Sequence, residues 1–342
     1  MKTSRHLLRA GLAALCLSTF AGAALAEKLK VGYLPASGHA KFFVAQEQGL
    51  FKQEGLEVEL VEFVNQADGL HAVTSGKIDI GAFGTSAPLV HYSRGADLKV
   101  IGGIMGQDSS IVAKQENAAA YRNIADLKGK KIATVRLATG DAVLRGALKA
   151  AGLDWKTDVQ IFELKNPPAV AEAVKSGQVD VGVTWAPHDV LAERQGLKVV
   201  IRSGELQPGH PCCRLVVKSA RLNDQATLEK FVRAILKAEK FAAQNRKETI
   251  DSLQKYVKLD REILETSYYS AWLDQTSDPN AKGTAQFWET LADSGFIEGN
   301  RDIKGLFAPE TYRRALESLA KEEPNEAFWR ERIALEKTRN TL

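Results

Sequence analysis

Short runs of branched apolar residues alternate with stretches of helical spacing through the first two thirds of the chain. "LKVGY" from Leu29 and "GLEVEL" (Gly55–Leu60) read as strands bounded by Gly and polar residues. Between them Phe42, Phe43, Ala45 and Gln46 through Leu50 carry the spacing of a helix face. The third strand arrives in a ten-residue phrase, "AVTSGKIDIG" from Ala72 to Gly81. The phrase returns as "AVKSGQVDVG" from Ala173 to Gly182, 101 positions later. The same offset lays "LKVGYLPASG" (Leu29–Gly38) against "KKIATVRLATG" (Lys130–Gly140), and Val58 and Leu60 over Val159 and Ile161. Val143, Leu144, Ala147 and Leu148 then trace the second copy of the first helix. Each copy is strand, turn, amphipathic helix, strand, helix, strand. Connections of this length make parallel sheets covered by helices on both faces, so the duplication predicts an α/β protein of two similar lobes. Within the repeated phrase Gly76 and Gly177 end a helix, and Ile78 and Ile80, or Val179 and Val181, open a buried strand. Asp79 and Asp180 are read as structural.

Two further apolar segments resemble each other, "SSIVAKQ" (Ser109–Gln115) and "CCRLVVKS" (Cys212–Ser219). They are read as the outward and returning crossings between lobes, a two-strand hinge beside a cleft. The first lobe then spans 27–108 and the second 109–211. Residues 212–322 return to the first lobe and add helices, in which Leu228, Phe231, Val232, Ile235 and Leu236 form one apolar face. Residues 323–342, with Pro324 at the start, are expected as a charged helix on the surface.

The amino end changes the charge balance. Lys2, Arg5 and Arg9 precede "LAALCLSTFAGAALA", and Ala24-Leu25-Ala26 offers a small-x-small cleavage pattern, so residues 1–26 read as a signal peptide removed after Ala26. The apolar run is too short for a spanning helix, and Leu15 before Cys16 argues against a lipid anchor. The leader holds three of the 46 basic residues and none of the 42 acidic ones, leaving 43 against 42. Nothing in that balance supports a nucleic-acid partner. A soluble, periplasmic, monomeric protein is expected.

In open parallel sheets ligands gather beyond the carboxyl ends of strands. That rule selects Pro35-Ala36-Ser37-Gly38-His39 and Gly84-Thr85-Ser86 in the first lobe. In the second it selects Leu137-Ala138-Thr139-Gly140-Asp141 and Trp185-Ala186-Pro187-His188. All four precede helices, whose free N–H groups suit a small anion. Ser37, Ser86 and Thr139 add hydroxyls, and Gly38, Gly84 and Gly140 allow close backbone approach. The same residues are ordinary helix caps. Trp185 is placed to stack on a ligand or to fill core, and His39 and His188 read as surface hydrogen-bonding groups.

The leader, "KVGYLP", "GLFKQEGLEVEL", "SGKIDIGAFGTSAP", "DLKGKKIAT" and "SGQVDVGVTWAP" stand in an order that resembles the nitrate/sulfonate/taurine-type substrate-binding proteins of ABC importers. The resemblance runs from about Leu29 to Lys218. It implies the two-lobed type II periplasmic-binding-protein fold, a small solute held by lobe closure, and delivery to a permease driven by a cytoplasmic ATPase. It also implies ligand contacts at Ser37, Gly38, His39, Thr85, Ser86, Thr139, Gly140, Asp141 and Trp185.

"HPCCR" (His210–Arg214) departs from that pattern. Cys212 and Cys213 are the only cysteines beyond the leader. They are read as two packed thiols, a vicinal disulfide at the cleft floor, or a link between chains. A metal site with His210 lacks a fourth ligand and the usual spacing. Arg214, with Arg136 as the second candidate, is the expected anchor for a carboxylate or sulfonate. Together these residues give a receptor for a small organic anion, without cofactor or catalytic group. The alternative is an enzyme on the same scaffold, similar to the pyrimidine-precursor synthases of thiamine biosynthesis, or a receptor for a pyrimidine or aromatic carboxylate. The sequence carries no paired carboxylates at a loop tip, no nucleophile with a nearby base motif and no phosphate-binding glycine loop of the standard spacings.

Overall fold

Two five-stranded sheets carry the duplicated halves. The computed structural model describes residues 27–342, so the expected leader lies outside the described residues. The first sheet holds β1 (Glu27–Tyr33), β2 (Leu56–Glu62), β3 (Ile80–Gly84), β4 (Leu98–Gly106) and β10 (Pro211–Lys218), in the order β2-β1-β3-β10-β4. The second holds β5 (Ser109–Lys114), β6 (Lys131–Val135), β7 (Gln160–Leu164), β8 (Val181–Trp185) and β9 (Leu197–Arg202), in the order β7-β6-β8-β5-β9. Helices α1 (Ala40–Glu47), α2 (Leu50–Gln53), α3 (Gln66–Thr74) and α4 (Ser86–Ser93) belong to the first half. Helices α5 (Thr139–Ala150), α6 (Pro167–Ser176), α7 (His188–Arg194) and α8 (Ser203–Leu206) belong to the second. After β10 come α9 (Gln225–Gln244), α10 (Arg246–Tyr256), α11 (Arg261–Tyr268), α12 (Ala281–Asp293), α13 (Pro309–Glu322) and α14 (Ala327–Arg339).

The sequence repeat is a repeat of hydrogen-bond register. Val31 faces Ile80 as Ile132 faces Val181, and Lys30 faces Glu59 as Lys131 faces Gln160. The repeated aspartate fixes this register. Asp79 accepts the Lys30 N–H at 2.8 Å and donates its own N–H to the Lys30 carbonyl at 2.9 Å. Asp180 does the same to Lys131, at 2.7 and 2.9 Å. A one-residue slip would turn buried Ile80 and Val181 to the wrong face, so a two-way clamp at the strand entry has structural weight. Gly76 and Gly177 make the preceding turns at φ +75° and +77°. The helix caps repeat too: the Asn65 and Asn166 side chains each accept an N–H three residues on, at 3.0 Å.

The segments expected to be the crossings are instead strands of the sheets they enter. β10 lies antiparallel between β3 and β4, and β5 lies antiparallel between β8 and β9. The chain passes between lobes just before each, at residues 107–108 and 203–210. These passages brace one another: Gly209 N–H donates to Gln107 Oε1 at 2.9 Å, and Ser109 N–H to Ser203 Oγ at 3.2 Å. The two strands are counterparts. Cys213 pairs with Gly84 and Arg214 with Phe83, while Ser109 pairs with Trp185 and Ser110 with Thr184. Asp108-Ser109-Ser110 therefore occupies in one lobe the place of Cys212-Cys213-Arg214 in the other.

The helices after β10 cover the first sheet, with α9 against α1, α2 and α13, while α12 also touches α5 of the second lobe. The final charged stretch carries one packed face among exposed residues. α14 starts beyond Pro324 and buries Phe328 and Trp329. Its Arg332 donates to Glu239 at 2.5 Å, Arg339 to Asp274 at 2.9 Å, and Asn340 to Asp278 at 2.7 Å. Fully buried Lys41 joins this group, donating to the Ile104 carbonyl at 2.6 Å and lying 3.8 Å from Glu239. Burial draws its pKa down to about 8, with Glu239 opposing. Arg332 and Arg339 are counterions for a buried network, while Arg330, Glu331 and Lys337 stay exposed, a difference that charge patterning alone does not show.

Asp79→Ala and Asp180→Ala should each lower stability by about 1 kcal/mol, the net worth of the lost strand-entry bonds. Urea unfolding should give nearly equal losses that add in the double variant, because the sites lie in different lobes.

Candidate functional site

The loops beyond the carboxyl ends of β1, β3, β6 and β8 meet between the lobes, around a cavity of about 20 Å³. That is little more than one water requires, because side chains of both lobes fill the cleft. Its wall is made of structural counterparts. Gly84 and Trp185 are the last residues of β3 and β8; Ser109 and Cys213, and Asp108 and Cys212, face one another from the starts of β5 and β10. Leu34, Ala36, Gln66, Met105, Ala138 and Thr139 complete it.

Beside the cavity, side-chain bonds cross from lobe to lobe at the loop after β6 and the first residue of α5. Gln66 Nε2 donates to the Arg136 carbonyl at 3.1 Å, Ser86 Oγ to the Ala138 carbonyl at 3.4 Å, and Thr139 Oγ1 to the Cys212 carbonyl at 3.2 Å. The Cys212 carbonyl also accepts the Thr85 N–H at 2.5 Å and its Oγ1 at 2.6 Å. Its counterpart, the Asp108 carbonyl, accepts the Ala186 N–H at 3.1 Å. Farther out, Lys149 and Asp293 pair at 2.7 Å.

Of the residues selected from sequence, Ala36, Gly84, Ala138, Thr139, Trp185, Cys212 and Cys213 line the cavity, with the two sulfurs unbonded and 3.7 Å apart. The others do not. Arg214 is buried and turned away: its guanidinium donates to the carbonyls of Asp278 at 2.7 Å, Pro279 at 3.0 Å and Met105 at 2.5 Å. Arg136 is largely exposed and lies 3.9 Å from Glu163. Neither expected anchor reaches the cavity. Ser37 is hydrogen-bonded to Ser267 at 2.6 Å. Asp141 is bonded to Arg145 at 3.0 Å, and burial raises its pKa to about 6 against that guanidinium. His39, expected at the surface, is fully buried; its Nδ1 accepts the Leu34 N–H at 3.3 Å, and desolvation lowers its pKa to about 3. His188 is likewise largely buried, with its pKa lowered to about 4.

The glycines serve protein rather than ligand. A Cβ on Gly38 would strike the Met105 sulfur at 1.8 Å, and one on Gly140 would strike Ser109 and Val183 at 2.8 Å. Gly84 leaves room for Thr139 of the opposite lobe. His210, weighed as a metal ligand with the cysteines, bonds instead to Ser203 Oγ at 3.0 Å. Among the described residues no three His, Cys, Asp or Glu side chains are arranged to hold a metal ion.

Asp108 and Gln66 are cavity residues that the sequence reading missed. Asp108 is the one ionisable carboxyl in the wall. Burial raises its pKa to about 6, against hydrogen bonds from Cys212 and Ser109, and the nearby Asp189 pushes it the same way as burial. Asp189 itself is paired with Arg202 at 2.9 Å. Gln66 follows β2, and the carboxyl-end rule, applied to the second strand as well as the first and third, would have selected it.

The sequence profile of the NMT1-like family matches residues 22–257. The chain belongs to the NMT1-like family. A binding protein of Brucella abortus is 27% identical over 259 residues, covering 74% of this chain and 79% of its own. The taurine-binding periplasmic protein of Escherichia coli is 30% identical over 197 residues, 57% of this chain and 58% of that one. A 4-amino-5-hydroxymethyl-2-methylpyrimidine phosphate synthase of Uromyces fabae is 29% identical over 145 residues, 42% of this chain and 41% of that one. Among solved structures, the periplasmic aliphatic sulphonate binding protein of Escherichia coli superposes with a TM-score of 0.71 at 22% identity, covering 82% of this chain and 91% of that one. The periplasmic nitrate-binding protein of Synechocystis PCC 6803 gives 0.75 at 15% identity, covering 85% and 89%. These likenesses establish the two-lobed periplasmic-binding-protein fold for this NMT1-like chain.

Arg214→Ala should cost about 3 kcal/mol or more in chemical denaturation, since it leaves three buried carbonyls without their charged donor. Arg136→Ala should leave both stability and ligand binding unchanged.

Proposed function

We propose that this chain is an extracytoplasmic solute receptor that closes on a small polar solute between its lobes and presents the closed form to an ABC permease with its cytoplasmic ATPase. The observation that carries this reading is the cleft itself: equivalent strand ends from two duplicated lobes, latched directly to one another around a cavity too small for an organic molecule. A solute of organic size enters only if the lobes separate about the passages at 107–108 and 203–210. Export by the leader, a periplasmic location and action as a monomer belong to the same proposal; among the described residues no helix is long and apolar enough to cross a membrane.

The ligand we favour is a small organic acid of the sulfonate or taurine kind. With Arg214 committed elsewhere, its anionic group would meet the N–H groups at the start of α5 and the hydroxyls of Thr139 and Ser109. Asp108 would favour a ligand whose other end carries hydrogen-bond donors. Binding without turnover separates this reading from the enzyme reading, which the two cavity thiols and the pyrimidine-synthase relative keep in view. Purified protein incubated with taurine and with ethanesulfonate should return both unchanged by mass spectrometry. The bound solute at a hundred times its dissociation constant should add about 2.7 kcal/mol of stability, with a fluorescence change lost in Trp185→Phe. Consumption of either compound would overturn the assignment.

Closure should also depend on acid. A carboxyl whose pKa is raised in the closed cleft holds its proton better there than in an open, solvated one. Closure is therefore favoured as pH falls toward and below about 6. Small-angle scattering of the unliganded protein should show a smaller radius at pH 5 than at pH 7.5, and Asp108→Asn should flatten that difference.

A further inference from the structure

A β-bulge places two sulfurs where strand alternation would place one. Pro211 pairs with Gly106 and Cys213 with Met105, so Cys212 is an additional residue in β10 opposite one step of β4. A bulge re-aims side chains, and here both sulfurs reach the cavity wall, 3.7 Å apart. The peptide unit between the two cysteines is also one of the points at which the lobes are latched. Its carbonyl, that of Cys212, accepts two bonds from Thr85 in its own lobe and one from Thr139 across the cleft.

We propose that Cys212 and Cys213 form a reversible modification site, at which oxidation of the dithiol to a bond between neighbours releases the Thr139 latch and holds the lobes apart. The oxidant is a disulfide, on a small molecule or another protein. One cysteine thiolate attacks it, forming a mixed disulfide and releasing one thiolate; the second cysteine then displaces the other. The Cys212–Cys213 bond forms, the oxidant's S–S bond breaks, and the two cysteine protons leave with the two thiols produced. The sulfurs must close from 3.7 Å to about 2.05 Å. The ring so formed contains the intervening peptide bond, which cannot stay in its strand geometry. The peptide plane turns, and its carbonyl leaves Thr85 and Thr139 together. In the closed cleft both cysteines are buried, so reaction belongs to the open form, which it then locks. Lobe opening rests on the receptor reading; ring formation does not.

The test uses the mature chain and the aromatic disulfide 5,5′-dithiobis(2-nitrobenzoate) as probe. Reduced protein should release two equivalents of thionitrobenzoate, end with no adduct, and weigh two hydrogens less. Its far-UV circular dichroism should be unchanged and its radius of gyration larger, both mass and radius returning with dithiothreitol. Cys213→Ser should stop at one stable adduct. Thr139→Val, left reduced, should already be open and react several-fold faster. Two persistent adducts on the native protein would overturn the site. A closed ring with an unchanged radius, or with lost secondary structure, would overturn the latch. Failure of the receptor reading would appear separately, as rings that form normally in a protein that binds neither taurine nor ethanesulfonate.

Discussion

A buried guanidinium needs partners for its donors, and the two terminal nitrogens of Arg214 find three carbonyls in two separate places, while its Nε is left without one. Two come from residues 278–279 in the helical extension and one from Met105, near the end of β4. The bond to Met105 holds β4 beside the irregular start of β10, and the other two tie that start to the loop before α12. The same loop is held from its far side by Asn340 and Arg339. The floor of the cleft thus stands on a polar framework reaching through the extension to the end of α14. With Arg214 committed to that framework, the polar side chains of the cavity wall are Gln66, Asp108, Ser109 and Thr139.

The repeat supplies the mechanics of the cleft. Two parallel units entered at the same register by the same aspartate clamp present equivalent strand ends, and the antiparallel β5 and β10 complete them with equivalent geometry. At the junction each lobe's strand offers a carbonyl, Asp108 or Cys212, to the loop after its own β8 or β3. Only the Cys212 carbonyl receives an additional donor from the opposite lobe. The two lobes differ at this peptide unit, where the sequence places its one pair of adjacent cysteines.

What the amino-acid pattern made legible was periodic. The lobes, parallel pairings, the structural role of Asp79 and Asp180, and the loops that line the cleft all follow from apolar spacing and a duplicated phrase. Directions and pairings were less legible. Alternation along β10 cannot reveal the bulge at Cys212, so it could not say that both sulfurs would share a face while Arg214 turned away. Gly38 and Gly140 looked like room for a ligand because a glycine states only that a side chain is missing; Met105, Ser109 and Val183 fill the space. Asp108 escaped notice because it lies in a two-residue passage without periodicity. Asp141 and His39 lie on the selected loops, yet point into partners that only the packing identifies. The packed face of the charged tail was hidden for a related reason, since inward and outward ion pairs look alike in sequence.

The unlike dipeptides at the two equivalent strand starts give the cleft a direction. Equivalent strand ends alone would offer a lopsided guest the same backbone groups on either flank. Carboxyl and hydroxyl on one flank, and two sulfurs on the other, remove the equivalence. On the receptor reading proposed above, a guest with chemically different ends would have one preferred seating.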